Sequence, residues 1–220
     1  MKKLAVVSLL VWCASVLLAG PVEVDQPRRD PDPFLTRLKS AGIPTDDPEK
    51  LIETIGNNPG LSAPAAFALG KLPKTGRAVS ALEAAITANA GQLDSSLPPL
   101  FELAAGYAAE ALRHWGEKKW ESLALQRLEF MTDGSAQIFM AGQLAAAGHY
   151  EGFHIVKEGL FRPELVRHAL SEFPYFVGMK GSDGKPLDLA QFAAMIPANF
   201  PEDVQSLSKH TAEKIRSMEK

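Results

Sequence analysis

PPLFELAAGYAAEALRHW, residues 98–115, decides how the rest of this 220-residue chain is read. Leu100, Ala104, Tyr107, Ala108, Ala111 and Trp115 recur at three- and four-residue steps, the spacing of one face of an α-helix. Glu102, Glu110 and Arg113 fall off that stripe, and Gly116 stops the segment. Glu102, Glu110 and Glu121 are the carboxylates that could supply an acid/base pair for sugar chemistry, and on separate helix faces they are expected as solvated charges. Alanine is abundant on either side, and β-branched residues are scarce beyond the N-terminal stretch. Both features favour helix over strand.

Downstream, 118–131 repeats the pattern through Trp120, Leu123, Ala124, Leu128 and Met131. A helix opening at Asp133 or Ser135 should run to Ala147 and close at Gly148. Shorter helices over 152–161 and 163–173 follow, the second stopped by Pro174. Upstream, Phe34, Leu35 and Leu38 predict a short helix ended by Gly42. Asp47-Pro48 predicts an N-cap with Pro at the first helical position, opening a helix over 49–55. Ser62 is the expected cap for 63–72, and 77–89 follows the Lys74-Thr75-Gly76 turn. Two helices, 187–196 and 202–218, complete the chain. The last places Glu202-Asp203 at its start and Lys214, Arg216 and Lys220 at its end, as the helix dipole prefers. Residues 174–185 break the rule: Asp183-Gly184 predicts a tight turn in a loop or small hairpin inserted between helices.

The helices carry a weak internal repeat. Residues 65–69, AAFAL, align with AAEAL at 108–112 at an offset of 43, and MAGQL at 140–144 aligns with the latter at an offset of 32. At that second offset Gly116 meets Gly148, while Leu123, Ala124 and Leu128 meet Ile155, Val156 and Leu160. VRHAL at 166–170 is a poorer fourth copy. Each unit is a small-residue helix, a turn, and a second helix with leucine-type spacing; neither helix buries both faces alone, so neighbours must stack. The segment AAFALGKL at 65–72 through RAVSAL at 77–82 resembles a HEAT or HEAT-like repeat, and the resemblance extends over roughly 60–173; tetratricopeptide repeats, suggested by Gly148-His149-Tyr150-Glu151, and a non-repetitive helical bundle are the alternatives. The HEAT resemblance implies an all-α fold, a short right-handed α-solenoid of stacked helix pairs. It further implies a concave side built from the second helices that binds a protein or peptide. The polar positions of those second helices, Glu83, Gln126, Arg127, His154 and Lys157, are the contact set it implies.

The N-terminus reads as an address. Met1-Lys2-Lys3 is basic, Leu4 to Ala19 is uncharged, and Leu17-Leu18-Ala19-Gly20 closes on small residues: the layout of a secretory signal peptide cut after Ala19. Sixteen residues at about 1.5 Å each fall short of a ~30 Å hydrocarbon core, which argues against a retained anchor. A lipid anchor at Cys13 is the alternative, in a stretch resembling a bacterial lipobox, with Trp12 where a small residue belongs. Removing 1–19 leaves 201 residues, takes the formal charge from −3 to −5 through loss of Lys2 and Lys3, and removes the single cysteine. Residues 20–33, with four prolines and six charges, are expected as a flexible linker, and 34–220 as the helical repeat domain. The location implied is periplasmic or secreted, and an acidic chain gives no electrostatic reason to expect nucleic acid.

No chemistry stands out. There is no G-x-S-x-G, phosphate loop or H-E-x-x-H, so no catalytic, cofactor or metal residues are assigned. His149, Glu151, His154 and Glu158 form the best metal-like constellation, and surface residues at a helix start explain them more simply. Trp115, Trp120 and Tyr107 are expected in the core. The function expected is an exported interaction or scaffold module, not an enzyme. The alternatives are a hydrolase or lyase acting on cell-wall or polysaccharide material, and a structural subunit of an envelope complex docking through 174–185. An enzyme would show a deep pocket with convergent ionisable groups; a scaffold, a shallow groove.

Overall fold

The computed structural model describes residues 32–88, 100–181 and 184–219. The expected signal peptide and nearly all of the expected linker lie outside the described residues; Asp32 and Pro33 open the first helix instead of ending the linker. Among the described residues the chain is all-α, with eleven α-helices, one 3₁₀-helix and no strand. The helices are α1 (Asp32–Ser40), α2 (Pro48–Asn57), α3 (Ser62–Leu69), α4 (Gly76–Thr87), α5 (Leu100–His114), α6 (Lys119–Leu128), α7 (Gly134–Ala146), α8 (Phe153–Gly159) and α9 (Val166–Glu172). The 3₁₀-helix Phe173–Phe176 follows, then α10 (Leu189–Ala194) and α11 (Glu202–Met218).

Local chemistry sets most of these boundaries. Asp47 accepts the backbone N–H of Glu49 and Lys50 at the start of α2, with Pro48 at the first helical position. Thr75, Asp133 and Asp188 cap α4, α7 and α10 by accepting from Ala78, Ala136 and Gln191. Ser62 does not cap: it is fully buried inside α3 and donates to the Pro59 carbonyl at 3.0 Å. At the C-terminal ends, Gly116 and Gly148 adopt left-handed φ of 72° and 97°. There the N–H of Glu117 reaches back to the Leu112 carbonyl and that of His149 to the Leu144 carbonyl, satisfying otherwise unpaired helix carbonyls.

Helices two apart in sequence pack on one another. One row runs α1 on α3, α3 on α5, α5 on α7, and α7 on α9; another runs α2 on α4 and α4 on α6. The rows meet through α2 on α3, α4 on α5, α6 on α7, and α8 on both α7 and α9. Close approach depends on small residues. A Cβ on Gly106 of α5 would collide with the Phe139 ring of α7, and a Cβ on Gly70 would stand 2.6 Å from the Ala111 Cβ. An aromatic ladder, Phe34–Phe67–Tyr107–Phe139, links α1, α3, α5 and α7 with centroid spacings of 4.9–5.7 Å. At the other end Phe153 gathers Tyr150, Phe173, Phe176 and Phe192, tying α8 to the 3₁₀-helix and α10.

Two further expectations need correction. Glu102 is not solvated but 5% exposed, because α5 is packed by α3, α4, α6 and α7 and has no free face in that turn. The insertion expected over 174–185 begins later, since Phe173, Pro174 and Phe176 are buried. What projects is a short turn in which Lys180 and Pro186 form one antiparallel bridge and the Gly181 N–H donates to the Lys185 carbonyl at 2.8 Å. Asp183 of the expected turn lies outside the described residues. Tyr107 and Trp120 are buried and Trp115 is half-buried against the core.

Candidate functional site

A groove opens between α6 and α8. It has a volume of about 620 Å³ and is walled by Leu125 and Leu128 of α6 and by His154, Ile155 and Glu158 of α8. Its floor is the start of α7, with Gln137 and Ile138, and Leu165 closes it from the loop before α9. Glycines set this shape. A Cβ on Gly152 would clash with Ala141, and one on Gly159 would lie 2.6 Å from the Ile138 Cδ1, so α8 sits down on α7.

The rim is charged. Glu129, Glu151, Glu158 and Arg162 line the opening, and each is exposed. Arg162 is matched by Glu164 at 2.7 Å, and His154 Nδ1 lies 3.0 Å from the Glu151 carbonyl oxygen. Glu121, half-buried behind this region on α6, pairs with His149 at 2.9 Å and Lys118 at 3.2 Å. Burial pushes the Glu121 carboxyl up, but the hydrogen bonds from His149 and Lys118 outweigh it and hold the group below its ordinary value. His149 therefore lies between Glu121 and Glu151, the latter 3.8 Å from its Nδ1, while His154 lines the groove, so the two histidines of the metal-like constellation part. Among the described residues no three His, Cys, Asp or Glu side chains converge to hold a metal ion.

The five expected contact residues do not form one surface. Gln126 and His154 are exposed, and of the five only His154 lines the groove. Glu83 is half-buried and pairs with Lys119 of α6. Lys157 lies over the Phe192 ring, 4.5 Å from its centroid, so its charge is engaged by α10. Arg127 is 7% exposed and cannot meet a partner. It stands seven residues after Trp120, two turns along the buried stripe, and faces Glu102 at 3.7 Å. The groove lining is not legible in the sequence, because Leu125, Ile138 and Ile155 look like core. The available signal was Gly152 and Gly159, seven apart on one face of a short helix and marking where it presses on a neighbour.

Two carboxylates are buried. Glu102 accepts hydrogen bonds from the Thr132 and Asp133 amides and from the Thr132 hydroxyl. Glu172 is 1% exposed at the α7–α9 contact, where Gly142 leaves room for it. Neither lines the groove. Among the described residues no helix is long and apolar enough to cross a membrane. No family model, curated protein or solved structure matches this chain.

Proposed function

We propose that this chain is an exported helical-repeat protein of HEAT-like type, a short right-handed solenoid that works as a protein–protein interaction module. The observation that carries the reading is the open, apolar-lined groove between α6 and α8. The packing supports the repeat: the small-residue segments at 65–69, 108–112, 140–144 and 166–170 fall on α3, α5, α7 and α9, and each of these packs on the next. The matching glycine caps at 116 and 148 lie at the repeat offset of 32 residues. Export rests on the basic start, the apolar run and the small residues at 19–20.

An enzymatic reading has weaker support. The ionisable groups at the groove are exposed on its rim, where water screens them, and the sheltered carboxylates are committed to helix contacts elsewhere. The test is retention of an envelope protein by the immobilised chain starting at Gly20, compared with a Leu125→Glu/Ile155→Glu variant of unchanged circular dichroism. Loss of the retained protein in the variant is the expected result; equal retention by both rejects the groove as the interaction surface.

A further inference from the structure

We infer that the groove between α6 and α8 takes a cationic amphipathic helix of a partner protein, its apolar side chains on the floor and its Lys or Arg residues on the rim. This rests on the interaction-module reading and adds the chemistry of the partner.

Aliphatic side chains line the groove on walls and floor: Leu125, Leu128, Ile138, Ile155 and Leu165 surround a volume of about 620 Å³ open to solvent. Two large apolar side chains next in sequence to rim residues are exposed: Phe130, beside Glu129, is 70% exposed, and Phe161, beside Arg162, is 47% exposed. The rim says what kind of segment fits the groove. Glu129 stands just past the end of α6, with Glu151 and Glu158 on the α8 side, and Glu129 and Glu158 form no ion pair among the described residues. The cation of this rim, Arg162, is already neutralised by Glu164. Negative charge is therefore in excess around an apolar floor, which favours a segment with apolar anchors flanked by cations and steers it in.

Helical form follows from the walls. The groove runs between two helices, α6 and α8, over a third, α7. A helix with anchors at i, i+3 or i+4, and i+7 presents the stripe that such a trough accepts.

The probe is a fifteen-residue helix-forming peptide with Leu at that spacing and Lys on its flanks. Its controls are a scrambled peptide of the same composition and a version with Glu for Lys. Fluorescence anisotropy on the chain from Gly20 should show the cationic amphipathic peptide binding at least tenfold tighter than either control. Glu129→Lys/Glu158→Lys should reverse the preference towards the acidic version, and Ile155→Glu should remove binding, with circular dichroism showing both variants folded. Equal binding of the scrambled peptide would reduce the effect to bulk charge and overturn the inference. So would unchanged binding to E129K/E158K, or sedimentation showing a second copy of the chain seated in the groove. An envelope protein retained equally by wild type and E129K/E158K overturns this inference while leaving the module reading; retention of none by either overturns both.

Discussion

The Glu102 carboxylate accepts the backbone N–H of Asp133 at 2.6 Å, joining the first turn of α5 to the residue that caps α7. The same carboxylate takes the Thr132 N–H at 2.8 Å and the Thr132 hydroxyl at 3.0 Å, and faces Arg127 at 3.7 Å. One buried anion thus holds three elements, α5, α6 and the turn into α7, and with them the α6 wall and the α7 floor of the groove.

Removing that anion should be costly. Glu102→Leu strands a buried guanidinium and two backbone donors, and a loss of about 3–5 kcal/mol is expected in urea unfolding. Glu102→Leu/Arg127→Met should recover much of it, because the uncompensated charge leaves with its partner. A double variant no more stable than the single one would show that the charge is not the source of the cost.

Glycines used for close approach and glycines used for left-handed turns should respond differently. Gly106→Ala drives a methyl into the Phe139 ring, and overpacking of about 1–3 kcal/mol is expected. Gly116→Ala meets no neighbour within 4 Å and carries only the left-handed strain of φ 72°, about 1–2 kcal/mol. The separation shows in near-ultraviolet circular dichroism, where Gly106→Ala should disturb the aromatic signal and Gly116→Ala should leave it intact.

Glu121 gives the expected pH dependence. Its folded carboxyl lies below the ordinary value, so its contribution to stability is present above about pH 4.3 and is lost as the pH falls through the lower folded value. His149→Ala removes one of the two side-chain donors. Carbon-detected NMR titration should then show the Glu121 carboxyl moving up; an unchanged midpoint would mean that His149 does not hold it.

Under the proposed export, with residues 1–19 cut away, the mature protein should begin at Gly20 and contain no thiol, since the single cysteine is Cys13. Intact mass and thiol labelling of protein recovered from the envelope fraction check this. A labelled cysteine or an acylated mass would replace cleavage after Ala19 with retention or a lipid anchor at Cys13.

Helix positions were legible because they depend on local chemistry. Asp47-Pro48, Thr75, Asp133, Gly116 and Gly148 act where they stand, and the expectation for the last helix, 202–218, coincides with α11. Ser62 misled because a hydroxyl before an alanine run reads as a cap, yet it turns back to Pro59. Glu102 and Arg127 misled for a different reason. Periodicity marks a solvent face only when a helix has one, and their charges answer each other 25 positions apart in the chain. The groove was less legible still. Its lining residues are indistinguishable in sequence from core, and only the seating of α8 on α7 at Gly152 and Gly159 leaves Ile155 and Leu125 uncovered.

Hydrogen–deuterium exchange with and without the envelope protein retained by the immobilised chain tests the groove-borne interaction most directly. Slowed exchange confined to peptides covering 125–131 and 151–162, with 48–87 unchanged, is the predicted result. Protection falling on α2 to α4 instead, or absent from both α6 and α8 in a stable complex, would contradict it.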